Sequence, residues 1–356
     1  MTHQLLSSFD LSGLALRNRV VLAPMTRSRA GLERMPNELM AKYYAQRAGA
    51  GLLISEATVI SLQANGWNQT PGIYTDAQEQ GWRMVVDAVH EKQTPIFLQL
   101  WHCGRASHSS FFEGGELPVA PSALKIEIDD IHTPIGKVPY EVPRALETDE
   151  IPSIVEDYRK AAQRAKNAGF DGIEIHGAHG YLISQFLSAY SNQRTDVYGG
   201  SWANRYRFAH EVIQAVAGVI PEKRWLIFRI SDWGVVDMDV SLFRRKEEYQ
   251  EIIAQLSQEP LDAISVSTYD YRQRAFGTDQ NMATITREKT SLPIMICGGI
   301  YDRATAEDAL KDADIVLSAK SMLLNPNWIE DVRQGKPLPS YKSAEADIAY
   351  TETPLT

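Results

Sequence analysis

The chain has 356 residues, 44% of them hydrophobic and 23% charged, a balance that excludes a disordered chain, a collagen-like repeat and a coiled-coil rod. Lysine and arginine number 36 against 45 aspartates and glutamates, so the net charge is −9 and a nucleic-acid partner, which needs a basic surface, is not expected. No apolar run approaches the roughly 18 residues of a membrane span, and MTHQLLSSFDLSG lacks a basic flank before an apolar core, so neither a membrane partner nor a secretory signal is expected.

Short runs rich in Val, Ile and Leu alternate with longer helical patterns along the whole chain. A first strand is predicted at 19–23, running into Pro24, Met25 and Thr26, and a helix at 37–48. The second strand, 52–55, leads to Glu56, Ala57 and Thr58. The helix at 76–91 opens with Asp76 and Glu79 at capping-box spacing and repeats apolar residues at Trp82, Val85, Val86 and Val89. The third strand, 95–99, ends in Gln99 and continues as Leu100, Trp101 and His102. From 101 to 147 no long period appears, and a loop of that length in a compact domain is usually functional.

A helix follows at 153–167, with Ser153 and Glu156 at capping-box spacing and Gly169 as its C-cap region. The remaining strands are 172–176, 226–230, 263–267, 294–297 and 315–318; the remaining helices are 202–219, 243–256, 280–289, 303–311 and 327–335. Most strands are apolar on consecutive positions, as in a parallel sheet covered on both faces. Eight strands in strict alternation with eight helices predict an α/β fold, a (β/α)8 TIM barrel with a long insertion after strand 3. A doubly wound open sheet competes, but no strand–GxGxxG–helix fingerprint supports it. One domain, 1–337, is expected, with 101–147 capping the C-terminal face and 338–356 as a tail.

Cys103 and Cys297 are the whole cysteine complement, too few for a disulfide framework, a four-cysteine zinc site or a self-contained iron–sulfur cluster. Two free thiols suit a reducing cytoplasm, which is the expected location.

Polar residues and glycines collect after the strands, where barrel active sites lie. His176 and His179 are three apart, a spacing that cannot place both on one strand face. Two imidazoles on a turn bind a metal, donate to one substrate oxygen, or are satisfied by local backbone. Tyr181 beside them makes a donor set suited to protonating carbon next to a carbonyl. Gln99 either caps its strand or pairs at two points with a ring presenting donor and acceptor. Arg229 in a barrel mouth is costly unless an anion meets it. Gly298, Gly299, Ala319 and Lys320 follow strands seven and eight, where barrels often hold phosphate.

With these residues in place, the chain resembles the Old Yellow Enzyme family of FMN-dependent ene-reductases, from about residue 6 to 328. NRVVLAPMTR at 18–27 is similar to the family's opening strand and flavin turn, and Gln99-Leu100-Trp101-His102 to its third-strand signature. The longest match is GFDGIEIHGAHGYLISQFLSAYSNQRTDVYGG at 169–200, followed by Asn204-Arg205. The resemblance implies an FMN-binding barrel. Thr26 would meet flavin O4, Pro24, Met25 and Ala57 would line the isoalloxazine, Gln99 would pair with its pyrimidine edge, and Arg229 would stand near N1 and O2. Gly298, Gly299, Ala319 and Lys320 would hold the phosphate. His176 and His179 would hold the substrate oxygen, Tyr181 would be the proton donor, and Trp101 a wall of the pocket.

The implied reaction is ping-pong. NADH or NADPH reduces FMN and leaves; flavin N5 then gives hydride to the β carbon of an α,β-unsaturated carbonyl or nitro compound, and Tyr181 gives a proton to the α carbon. The chain carries the His-x-x-His form of the motif, Thr26 in place of the cysteine of another branch, and Lys320 where arginine is common, a point charge without a fork. No metal is expected, and the assembly is a monomer or homo-oligomer. The alternative from another class is a metal-dependent hydrolase on His102, His176 and His179; against it, the strand-eight cation at Lys320 would repel a metal. A non-catalytic flavin carrier leaves the grouping of Tyr181 with two histidines unexplained, and a bifunctional dienoyl-CoA-type reductase would need more cysteines and more chain.

Overall fold

All eight expected strands form and close into a parallel ring in the computed structural model, which describes residues 4–127, 130–220, 225–235, 241–338 and 342. They are β1 (Val20–Leu22), β2 (Leu52–Ile54), β3 (Ile96–Trp101), β4 (Gly172–His176), β5 (Trp225–Ser231), β6 (Ala263–Ser267), β7 (Ile294–Cys297) and β8 (Ile315–Ser318). β4 pairs with both β3 and β5, and β8 pairs with β1, which leaves no open edge.

The strand period of two builds the site from the core. Inward positions near the strand starts are apolar: Val21, Leu52, Phe97, Ile227, Ala263, Met295 and Ile315 pack as one cluster. Two residues further along, the same inward rows turn polar at Gln99, Arg229 and Ser265, then at Ser231 and Ser267, and each of these is at most 4% exposed. A hairpin of Phe9–Leu11 and Leu14–Leu16 closes the opposite end, where fully buried Leu11 and Leu16 join the apolar cluster and Trp225 Nε1 donates to Ser12 O at 3.1 Å. The barrel thus has an apolar floor and a polar mouth.

The outer helices are α1 (Glu38–Gln46), α2 (Asp76–His90), α3 (Ile151–Ala168), α4 (Leu182–Leu187), α5 (Trp202–Ala217), α6 (Lys246–Leu256), α7 (Met282–Arg287), α8 (Arg303–Ala309), α9 (Lys320–Leu324) and α10 (Trp328–Arg333). The short α4 and α9 escape the helical pattern because each follows its strand almost directly. Both capping boxes read from spacing are corrected. On α2 the cap is Thr75 with Gln78, one residue earlier, and Asp76 and Glu79 instead place negative charge in the first turn. On α3 no box forms: the helix starts at Ile151 with proline in its first turn, and Ser153 Oγ donates to Glu150 O at 2.7 Å. Gly169 ends α3 as expected, at φ +99°. α6 begins at Lys246 rather than 243, since the Phe243 N–H is given to Asp232 Oδ1 at 3.1 Å.

The insertion after β3 carries a hairpin, Asp130–Thr133 with Gly136–Pro139, and a short parallel pair, Val119–Ala120 with Arg144–Ala145. It is fastened to the segment after β4: the Leu182 N–H donates to His102 O at 3.0 Å, and Gln185 Nε2 donates to Cys103 O at 3.1 Å. Of the tail at 338–356, all but Leu338 and Lys342 lies outside the described residues; Leu338 packs on the outer core. Among the described residues no helix is long and apolar enough to cross a membrane.

Candidate active site

Two adjoining groups of side chains occupy the polar mouth. The first is a cluster of rings around His176, the last residue of β4. Trp101, which ends β3, lies parallel to His176 at 6.3 Å, and Tyr181 stands perpendicular to it at 5.1 Å. Tyr181 also meets Trp101 edge-on at 4.8 Å, and His179 meets His176 edge-on at 5.1 Å. Trp101, His176, His179 and Tyr181 are therefore brought together, with Trp101 1% exposed and Tyr181 5%.

His179 leaves the strand in the left-handed region, at φ +64°, which is uncommon for a residue with a side chain. Three contacts fix it there. Its N–H donates to Ser231 Oγ at 2.8 Å, its Nε2 lies 2.7 Å from Ser267 Oγ, and its ring packs 4.8 Å from Trp233. A strained backbone that its surroundings over-determine is characteristic of a working site. Burial, and then the Arg229 charge, push His176 down to about 3. Burial, followed by His176 and Arg229, holds His179 well below its ordinary value. Both rings are neutral at physiological pH. His176 Nδ1 accepts the Ala178 N–H at 3.3 Å, so its own proton sits on Nε2.

The third histidine of the metal alternative, His102, is turned to local backbone: its Nδ1 accepts the Gly104 N–H at 3.0 Å. Among the described residues no three His, Cys, Asp or Glu side chains form a metal-binding group.

The second group lines a cavity of about 460 Å³ beside His179, walled by Pro24, Arg229, Gly298, Gly299, Ala319 and Lys320. Arg229 is held by three acceptors: Nη1 donates to Ser265 Oγ at 3.0 Å, and Nη2 to Ser267 Oγ and Cys297 Sγ, both at 3.1 Å. Its Nε is buried without a hydrogen-bond partner. Gly298 sits at φ +114°, and a Cβ there would lie 2.1 Å from Thr268 O, so the cavity wall at this point is bare backbone by necessity. Gly298→Ala is expected to destabilise the protein by roughly 2 kcal/mol or more and lower Tm by several degrees; an unchanged melting curve would refute this account of the turn.

Met25, Thr26, Ala57 and Gln99 are not on that wall. Met25 and Thr26 follow Pro24 after β1, and Ala57 follows β2. These two strand exits are tied by Glu56, whose Oε2 accepts the Arg27 N–H at 2.9 Å and whose N–H donates to Tyr44 Oη at 2.7 Å. Burial pushes the Glu56 carboxyl up to about 7 against the Arg27 N–H and the Tyr44 hydroxyl, which donates to Oε1 at 3.4 Å. One N–H of the Gln99 amide is committed, since Nε2 donates to Glu174 Oε1 at 2.6 Å, which leaves the second N–H and the carbonyl for a ligand.

Glu174, Ser265, Ser267 and Cys297 were not singled out from sequence as members of this network. Their signal was the period of two: Glu174 lies two before His176, and Ser265 and Ser267 alternate with apolar residues in β6. Glu174 is fully buried, and burial raises its carboxyl despite the opposing pull of Arg229.

Residues 4–339 match the NADH:flavin oxidoreductase / NADH oxidase family. The chain belongs to this family, the Old Yellow Enzymes. The flavin oxidoreductase class and the barrel expected from the resemblance both hold. Putative 12-oxophytodienoate reductase 2 of Oryza sativa subsp. japonica is 49% identical, over 99% of this chain and 92% of its own. 12-Oxophytodienoate reductase 1 of the same organism is 40% identical, over 99% and 90%. Among solved structures, morphinone reductase in complex with tetrahydroNAD superposes with a TM-score of 0.87 at 41% identity, covering 98% of this chain and 96% of that one. The old yellow enzyme homologue from Zymomonas mobilis superposes at 0.88 with 36% identity, covering 99% of both chains.

Proposed function

We propose that this Old Yellow Enzyme family member is an FMN-dependent ene-reductase that uses NADH or NADPH to saturate the activated C=C bond of α,β-unsaturated carbonyl or nitro compounds. The observation that carries the reading is the packing of Tyr181, His176, His179 and Trp101 into one ring cluster beside a cavity with two cationic side chains, Arg229 and Lys320. The relatives agree in kind, being named reductases of 12-oxophytodienoate and of morphinone.

The residues present fit FMN. Arg229 has a buried Nε–H still to be satisfied, the Gln99 carbonyl is uncommitted, and Gly298, Gly299, Ala319 and Lys320 suit a phosphate. Pro24, Met25, Thr26 and Ala57 are assigned to the ring's edges and face. Bound FMN would supply the hydride that adds to the β carbon. The chain's own side chains do the rest. The His176 Nε2–H and a ring N–H of His179 donate to the carbonyl or nitro oxygen, stabilising the charge that grows there. Trp101 walls the pocket and keeps water from it. Tyr181 gives its phenolic proton to the α carbon.

Purified protein is expected to be yellow, to bleach anaerobically with NADH or NADPH, and to recover its colour on addition of 2-cyclohexenone. A colourless protein that stays inactive when supplied with FMN would overturn the reading. His176→Ala is expected to weaken phenol binding about 10-fold or more, through loss of a hydrogen bond to a charged oxygen, and unchanged affinity in a flavin-absorbance titration would remove His176 from oxygen binding. The histidine values also set a pH expectation. A group held below its ordinary pKa stays neutral until the pH falls past the lowered value, so re-oxidation by an enone should show no histidine step between about pH 5 and 8.

A further inference from the structure

We propose that Ser267 is a positioning residue that locks His179 as its Nδ1–H tautomer, and so decides which nitrogen of that ring faces the substrate oxygen. The use of that nitrogen rests on the ene-reductase reading; the lock itself does not.

The argument is a count of protons. Ser267 Oγ lies within hydrogen-bond distance of three groups: Arg229 Nη2 at 3.1 Å, Cys297 Sγ at 3.3 Å and His179 Nε2 at 2.7 Å. A hydroxyl has two lone pairs and one proton. Arg229 can only donate, so it takes one lone pair. The Cys297 thiol itself accepts a second bond from Arg229 Nη2, which turns its S–H toward Ser267 and fills the other lone pair. Only the serine's own proton remains, and His179 Nε2 is the acceptor left for it. A neutral imidazole that accepts at Nε2 carries its hydrogen on Nδ1.

The environment makes this consequential. Ser267 is 2% exposed, so the hydroxyl cannot turn to bulk water. The His179 ring cannot turn away, since Trp233 covers it and its backbone is pinned to Ser231. His176, one ring contact away, is fixed in the opposite tautomer, with its proton on Nε2. The pair thus presents two neutral N–H donors from different ring positions. Such a pair can stabilise an oxyanion without a proton having to move between the histidines. The chain Arg229–Ser267–His179 also joins the proposed flavin cation to the substrate-binding ring through one hydroxyl.

The test uses the FMN-loaded enzyme labelled with ¹⁵N-histidine. Ring-nitrogen spectra are expected to show His179 as Nδ1–H and His176 as Nε2–H. Ser267→Ala should leave His179 as a mixture or as Nε2–H, and weaken p-chlorophenol binding about 5- to 10-fold. Ser265→Ala removes a different acceptor of Arg229 that does not touch His179, and should leave the His179 tautomer as it was. His179 found as Nε2–H in the parent enzyme overturns the proposal. So does an unchanged tautomer or unchanged phenol affinity in Ser267→Ala, or an equal tautomer shift in Ser265→Ala, which would place the control in the Arg229 charge. A parent enzyme with the expected tautomer that neither binds phenol nor reduces enones would instead overturn the ene-reductase reading.

Discussion

Tyr181→Phe is expected to slow re-oxidation by an enone about 10²- to 10⁴-fold while leaving reduction by NADH or NADPH nearly intact. The hydroxyl oxygen is the single heavy atom removed, and the ring itself stays. The ring keeps its edge-on contact with Trp101 at 4.8 Å and its perpendicular contact with His176 at 5.1 Å. Tyr181 also precedes α4 without a side-chain cap bond, so the helix start does not depend on the phenol. The folded state should therefore survive, and stopped-flow traces of the two half-reactions can be compared directly. The proton is needed after hydride has reached the substrate, hence a donor role predicts loss in that half alone. Equal loss in both halves would assign Tyr181 to packing. Enone affinity should change little, because the oxygen is held by the histidines, so the effect belongs in the maximal rate.

The sequence carried the barrel well and the site unevenly, for physical reasons. Strand positions were readable because each inner strand is a short apolar run between turns, and β4, β6, β7 and β8 fall where the pattern put them. Helix caps were less so. The Asp76–Glu79 and Ser153–Glu156 spacings match a capping box, but α2, which starts at Asp76 as expected, is capped by Thr75 with Gln78, and α3 starts earlier, at Ile151, with no box. The ring cluster was readable because Tyr181, His179 and His176 lie close in sequence. The network beneath it was not. Gln99, Glu174, Arg229 and Ser267 come from four strands, and no local pattern says that Glu174 takes the Gln99 Nε2–H or that Ser267 bridges Arg229 and His179. Strand register alone sets Glu174 opposite Gln99, and His176 opposite Arg229. The two buried serines of β6 read from sequence as small strand residues, yet they are the acceptors that make a buried guanidinium tolerable.

Arg229→Met is expected to have two separable effects. The first is structural. Arg229 is 4% exposed and its charge acts on the fully buried Glu174 without a direct hydrogen bond between them, so its removal costs up to about 3–5 kcal/mol if the carboxylate stays charged. Glu174 has an escape, since burial already raises its carboxyl and the lost cation would raise it further. A carboxyl raised in the folded state binds more protons there than when unfolded. The variant should therefore be least impaired at pH values below the unfolded value of about 4.5, and lose stability as the pH rises through the raised one. The second effect is electrostatic. If Arg229 faces the flavin edge where negative charge gathers on reduction, its loss removes a charge-assisted hydrogen bond of about 1.5–3 kcal/mol, lowering the two-electron potential by about 30–60 mV. Adding Glu174→Gln separates the two. The double variant no longer buries an uncompensated carboxylate, so melting should recover and lose its pH slope, while the potential stays low. A potential that recovers together with the melting curve would make Arg229 the counter-ion of Glu174 and nothing more.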